Sequence, residues 1–251
     1  MTYRIAGRSR WHDAFRSLQA VRRHASSAAS TSKVFSDPKS AEFLAAAGSP
    51  TSIPRLNGLP EVIVTGRANV GKSTLLNAVL GRRNLLHMSK KPGRTQTLNF
   101  YRVGPPPGHL VLVDAPGYGS RGRPEWGELF DYYVQNRAEL RRVYILFHAK
   151  HGLNEVDRMM LSSLDRDCQA SGGLKFTVQG IITKVDTLRD NDIAKAIKSI
   201  QKDIFEVAPT CLPPIVTSAL EQPHFGVDQV RQSIVEACGL GKAEIKVFRP
   251  P

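Results

Sequence analysis

The stretch GRANVGKST, residues 66–74, limits what this chain can become more than any other, because Gly66 and Gly71 with four residues between them, followed at once by Lys72 and Ser73, have no packing rationale. EVIVT before it is a short β-branched strand. STLLNAVLG after it places Leu75, Leu76, Val79 and Leu80 on one helical face before a stop at Gly81. Strand, glycine-rich loop and helix in that order form the context that a phosphate-binding P-loop requires. The glycines let the backbone curl until successive N–H groups point inward, and the helix N-terminus adds its positive end. Lys72 is then placed to reach a β- and γ-phosphate, and Ser73 to bind Mg²⁺.

Three further segments follow in the order that a nucleotide-binding α/β domain needs. HLVLVDAPG (109–117) reads as a buried strand ending in Asp114, where a carboxylate acts on Mg²⁺ from the second coordination sphere, and the Gly117 amide can meet the γ-phosphate. FTVQGIITKVD (176–186) is another strand, ending in Thr183, Lys184, Val185 and Asp186, and PPIVTSAL (213–220) is a third, ending in Ser218 and Ala219. TLNFYRV and HLVLVDA flank GPPPG, a turn too short for a crossover helix, so these two strands should pair antiparallel. Helical patterns over 125–139, 154–171, 190–206 and 226–238 alternate with the remaining strands and call for parallel pairing. The expected fold is a three-layer α/β domain with a six-stranded, mostly parallel sheet over residues 61–240, its ligand at the carboxyl ends of the strands.

Outside the motifs, composition narrows the rest. The longest strongly apolar stretch, VYILF (143–147), has strand length, far short of the roughly 18 residues that cross a bilayer, so no transmembrane segment is expected. Cys168, Cys211 and Cys238 lack metal or redox spacing and read as ordinary thiols of a reducing compartment. Of the net +13, residues 1–33 carry +6, with seven basic side chains against Asp13 alone; residues 34–60 balance and the remaining 191 carry +7. The leader is Arg-rich, acid-poor and Ser-rich at its end, with Trp11, Phe15 and Leu18 at helical spacing, the composition of a mitochondrial transit peptide. A basic nucleic-acid-binding arm is the alternative. Residues 34–60, rich in breakers, read as a linker or docking segment, and residues 241–251 as a basic tail.

In this order and spacing, GxxxxGKS, DxxG, TKxD and SA resemble the guanine-nucleotide motifs of the translation-factor-related GTPases. GRANVGKST, KKPGRTQTLNFY, DAPGYG and EWGELFDYYVQNR together resemble the EngB (YihA, YsxC) family of ribosome-assembly GTPases, over roughly Leu59 to Cys238, and with the leader they imply its mitochondrial member, acting in the matrix. The resemblance implies a P-loop GTPase (G domain) that binds GTP and GDP through Gly66, Arg67, Ala68, Asn69, Val70, Gly71, Lys72, Ser73, Thr74, Asp114, Gly117, Thr183, Lys184, Asp186, Ser218 and Ala219. Asp186 would accept from both N1–H and the 2-amino group of guanine, Lys184 would pack over the base, and the Ser218–Ala219 backbone would meet its O6. KPGRT would be the first switch, with Thr95 closing on Mg²⁺ and Thr97 its rival, and APGYGSRGRPEW the second. Mg²⁺ is the implied metal, held by Ser73 and Thr95 with Asp114 behind them.

Three positions depart from the family's pattern: Ala115 where Leu is usual, and His148 and Lys150 where Asp and Arg are usual. None is a nucleotide contact. Tyr118 stands where many GTPases carry the glutamine that orients the attacking water, so intrinsic hydrolysis should be slow, with Lys72, Thr95 and Asn69 the residues left to act. An Asn at the position of Asn69 accompanies K⁺ recruitment in related GTPases; the alternative is that Asn69 suits the loop's tight backbone.

Implied partners are ribosomal RNA or a ribosomal subunit precursor and no DNA, and a monomer is expected. Three functions fit the motifs: a switch in mitochondrial large-subunit assembly, an Era-like or tRNA-modification RNA-binding GTPase, and a nucleotide-gated scaffold with negligible hydrolysis. Only about a dozen residues follow Cys238, which counts against an added RNA-binding domain. His87, His109, His148, His151 and His224 have no ligand or catalytic spacing, and Met159 and Met160 are expected in the core with Val156, Leu161 and Leu164.

Overall fold

A computed structural model describes residues 33–86, 97–119, 124–220 and 223–241. All of the leader but residue 33, the first-switch segment KPGRT with Arg94 and Thr95, part of the second with Arg121, and the tail beyond residue 241 lie outside the described residues.

Seven strands form one sheet in the order β1-β3-β4-β2-β5-β6-β7. They are β1 (Glu42–Ala47), β2 (Glu61–Gly66), β3 (Leu98–Val103), β4 (Leu110–Asp114), β5 (Leu140–His148), β6 (Thr177–Thr183) and β7 (Leu212–Val216). β4, β2, β5, β6 and β7 run parallel, joined by helical crossovers, whereas β3 pairs antiparallel with β4 across the GPPPG turn. The expected count of six strands is corrected to seven. The extra strand, EFLAAA, pairs antiparallel with β3 at the sheet edge and carries a bulge between Phe43 and Ala45. It escapes sequence reading because an edge strand, half exposed on both faces, shows little alternation of apolar and polar residues. At the opposite edge, β7 tolerates Pro213 and Pro214, which a central strand would not.

Among the described residues, five helices cover the two faces. α1 (Lys72–Val79) and α5 (Val227–Ala237) pack on one; α2 (Pro124–Asn136), α3 (Glu155–Ala170) and α4 (Asp190–Val207) pack on the other. Strand side chains alternate between the layers: Val62, Val64, Leu110 and Leu112 meet Leu75, Leu76, Val79 and Ile234, while Ile63, Val111 and Val113 meet Phe130, Tyr133 and Leu161. Because both faces are covered, the parallel strands read as continuous apolar runs. On α3, Leu161, Leu164 and Cys168 enter the core, but Met159 is 65% and Val156 40% exposed, correcting the expectation that both are core. Met159 lies two residues from Leu161, roughly 200° around the helix, so the two cannot share a face.

The foot of β2 is fixed by a buried charge. Glu61 has no exposed surface, its N–H donates to the Glu139 carbonyl at 2.9 Å, and Arg137 donates to its carboxylate through Nη2 at 2.5 Å and Nε at 3.0 Å. The Tyr133 hydroxyl donates to the same carboxylate. Removing one partner of such a pair leaves an uncompensated buried charge, which costs about 3–5 kcal/mol. Arg137→Ala should therefore lose about that much stability in urea denaturation, and Arg137→Lys distinctly less; equal losses would show that the guanidinium's two-pronged contact with Glu61 is unimportant.

Candidate nucleotide site

The top of β2 runs directly into the loop. Gly66 closes the strand, residues 67–71 turn, and α1 begins at Lys72. Gly71 has φ +105°, a left-handed conformation, and a Cβ there would meet the Lys184 side chain at 3.3 Å, so both backbone and space call for glycine. Asn69 is also left-handed, at φ +62°, a conformation that Asn tolerates better than most residues. Val70 N–H donates to the Arg67 carbonyl at 3.2 Å, and the Leu75 N–H to Gly71 at 2.9 Å, which starts the helix.

Adjacent β4 delivers Asp114 to the same place. Its Oδ1 lies 2.6 Å from Lys72 Nζ, and both side chains are nearly buried. Burial raises the Asp114 carboxyl above the usual carboxylate range, and the Lys72 charge and hydrogen bond pull it back down. Ser73 sits one residue into α1, half-buried. A hydroxyl and a carboxylate are the hard oxygen donors that Mg²⁺ takes, so these residues fit the ion.

The second half of the site comes from the ends of β6 and β7. Thr183 Oγ1 lies 2.6 Å from the Val70 carbonyl and 3.1 Å from that of Phe147, tying β6 to the loop. Lys184, left-handed at φ +57°, crosses over the loop and donates from Nζ to the Asn69 carbonyl at 2.8 Å. One 3₁₀ turn, Val185–Thr187, then presents Asp186, whose Oδ1 is buried and has no hydrogen-bond partner. An unpaired buried acceptor typically costs about 1–3 kcal/mol, so the site is complementary to a ligand that donates there. After β7, Ser218 exchanges backbone hydrogen bonds with Phe225 at 3.0 and 2.8 Å, which sets the Ser218–Ala219 backbone beside the Thr217 carbonyl that receives Val185 N–H.

Gly66, Arg67, Ala68, Asn69, Val70, Gly71, Lys72, Ser73 and Thr74 thus lie in the loop and first helical turn. Asp114 and Gly117 come from the end of β4, Thr183, Lys184 and Asp186 from β6, and Ser218 and Ala219 from β7. Thr97 precedes β3 and donates to Asn99 Oδ1 at 3.0 Å; its rival Thr95 lies outside the described residues. Two groups near the site were assigned no role from the sequence. His148, at the end of β5 beside Thr183, packs against His151 with ring centroids 4.5 Å apart and the rings tilted by 52°, and burial, then Lys184, His151 and Arg67, push its imidazole down to about 4. Asp157, at the start of α3, joins Arg67 to Tyr118; only the capping pattern Asn154-x-x-Asp157 hints at it in sequence.

A P-loop in front of a strand-end aspartate, joined to a TKxD turn with an unpaired carboxylate oxygen, defines a guanine-nucleotide-binding P-loop GTPase domain. Residues 61–175 match a family described as 50S ribosome-binding GTPase. The probable GTP-binding protein EngB of Rhodopseudomonas palustris (strain BisA53) is 34% identical over 200 residues, covering 78% of this chain and 88% of that protein. The protein of the same name from Ruegeria sp. (strain TM1040) is 36% identical over 177 residues, 66% of this chain and 77% of that one. This chain belongs to the EngB family of GTPases. Era in complex with MgGDPNP and nucleotides 1506–1542 of 16S ribosomal RNA superposes with a TM-score of 0.54 at 22% identity; the match covers 71% of this chain but only 56% of that one. Toc33 from Arabidopsis thaliana in complex with GDP and Mg²⁺ gives 0.55 at 14% identity, over 72% and 84% of the two chains. These two likenesses share the fold.

The unpaired Asp186 oxygen generates a specificity test. Adenine offers an acceptor at N1 and no 2-amino group, and a site left with such unpaired polar groups discriminates by about 10⁴, roughly 5 kcal/mol. Asp186→Asn should lose guanine nucleotides and gain xanthine nucleotides in a fluorescent-nucleotide displacement assay. Retained GDP affinity in that variant would remove Asp186 from base recognition.

Proposed function

We propose that this protein is a GTP-hydrolysing switch of the mitochondrial matrix that acts in assembly of the large ribosomal subunit. The observation that carries the switch is the joining of phosphate and base halves through Lys184 and Asn69, with the Asp186 oxygen left for the base. The ribosomal part is supported by the matching family's description as 50S ribosome-binding and by the net +7 of residues 61–251, more than one nucleotide requires. The matrix location is supported by the composition of residues 1–33.

In this scheme Lys72 exchanges Asp114 for the β- and γ-phosphates, and the loop and helix-start N–H groups not engaged within the fold, as those of Ala68 and Val70 are, surround them. Ser73, with Thr95 from the first switch and Asp114 behind them, would hold Mg²⁺, which neutralises charge on the phosphate oxygens when bound. Tyr118 has no amide to orient water, and its hydroxyl is already engaged by Asp157 at 2.9 Å, so intrinsic turnover is slow. Asn69 is exposed on the loop, where its side-chain oxygen would help hold a K⁺ against the phosphates in place of an arginine finger. Its left-handed backbone equally supports the simpler role of fitting the turn.

Steady-state GTP turnover with and without mitochondrial large-subunit particles, in KCl and in NaCl, for the native chain and Asn69→Ala, separates these roles. Slow basal turnover that rises with the particles is expected, with faster rates in KCl that Asn69→Ala abolishes. Identical rates in both salts would remove the K⁺ role. No turnover under any condition would leave a nucleotide-gated scaffold.

A further inference from the structure

The residue that follows the DxxG motif is tied to the P-loop twice, by its backbone and by its side chain. Tyr118 N–H donates to the Gly66 carbonyl at 3.2 Å, and the Ala68 N–H donates to the Tyr118 carbonyl at 3.3 Å, so Arg67 and Tyr118 pair as a short parallel bridge. Gly117, just before it, lies so close to the loop that a Cβ there would sit 3.1 Å from Ala68 N and 3.2 Å from Ala68 Cα, both backbone atoms that cannot give way.

The side chains close the same link from the other side. Tyr118 Oη donates to Asp157 Oδ1 at 2.9 Å. Asp157 Oδ2 accepts from the Asn154 N–H at 2.9 Å and lies 2.9 Å from Arg67 Nε, an ion pair without hydrogen-bond alignment. Arg67 Nη2 donates in turn to the Gly152 carbonyl at 3.0 Å. Asp157 has no exposed surface and stands in the first turn of α3, where the positive end of the helix favours its charge. A carboxylate buried in this way holds its partners firmly, because losing one leaves charge uncompensated. Burial, then the Asp157 charge, keep the Tyr118 hydroxyl protonated far above the usual phenol range, so it remains a donor at any physiological pH.

We infer that Tyr118, Asp157 and Arg67 form a clamp that holds the Gly117 amide against the P-loop where it meets the γ-phosphate, so that this chain separates GTP from GDP through a contact set before the nucleotide arrives. The clamp rests on the reading of the site as a guanine-nucleotide site with Gly117 at the γ-phosphate. Tyr118 is thereby a positioning residue, standing where other GTPases carry a residue that touches the attacking water. GDP has no γ-phosphate and is indifferent to the clamp. General damage to the loop would weaken both nucleotides together.

The test uses the full chain and fluorescent GDP and β,γ-imido-GTP. Tyr118→Phe keeps the packed ring and removes one oxygen; losing a hydrogen bond to a charged acceptor should weaken β,γ-imido-GTP about tenfold or more, while GDP affinity stays within about twofold. Asp157→Asn should show the same selectivity, and the double variant should lose less than the two single losses added, since both weaken the Tyr118–Asp157 contact. Equal losses for both nucleotides, no loss for either, or losses that add in the double variant would each overturn the clamp. Failure of the native chain to bind either nucleotide would instead overturn the reading of the site, and the clamp with it.

Discussion

Strand β2 is buried along its whole length, and the phosphate half of the site is built at its head and on its neighbour β4. Glu61 at its foot is locked by Arg137 and Tyr133, so the strand cannot slide without exposing or orphaning a charge. At its head the same strand becomes the P-loop, and its parallel neighbours β4 and β5 pair with it, β5 with a register shift between Glu61 and Val62. A one-residue slip would carry Asp114 away from Lys72 and exchange the side chains that each strand presents to the two helical layers.

On that frame the site is organised by charges that a ligand would rearrange. Lys72 is paired with Asp114 and Lys184 with the Asn69 carbonyl, while the Asp186 oxygen is left over. A phosphate offers Lys72 a charged acceptor in place of Asp114, and a purine donor can satisfy the unpaired Asp186 oxygen. His148 shows the electrostatic character of the region: its neighbours Lys184 and Arg67, together with burial, disfavour another positive charge. The imidazole stays neutral, in keeping with a site whose charge is set against anions.

Sequence and structure agree where chemistry repeats a fixed spacing. The loop residues, Asp114, the TKxD turn and the helices over 154–171 and 190–206 were legible because glycines, strand-end carboxylates and 3.6-residue periodicity leave marks in a single segment. Strand β1 was not, since it borrows its order from β3 and has no strong pattern of its own. Met159 and Val156 misled because an apolar cluster in sequence was read as one face, whereas α3 turns them outward. The Arg67–Asp157–Tyr118 link joins residues up to 90 positions apart in three different elements, and no local pattern encodes such a contact. The left-handed backbone of Asn69 answers to the sequence's alternative that Asn suits a tight loop, whereas that of Lys184 left no mark in the sequence.

The most direct test of the central claim, that one P-loop held on β2 binds phosphate while the β6 turn binds guanine, is a crystal structure of the chain with GDP and Mg²⁺. It should show Lys72 moved from Asp114 to the phosphates, and both Asp186 oxygens accepting from the guanine edge. A nucleotide bound elsewhere, with the Lys72–Asp114 pair intact and Asp186 still unpaired, would contradict it.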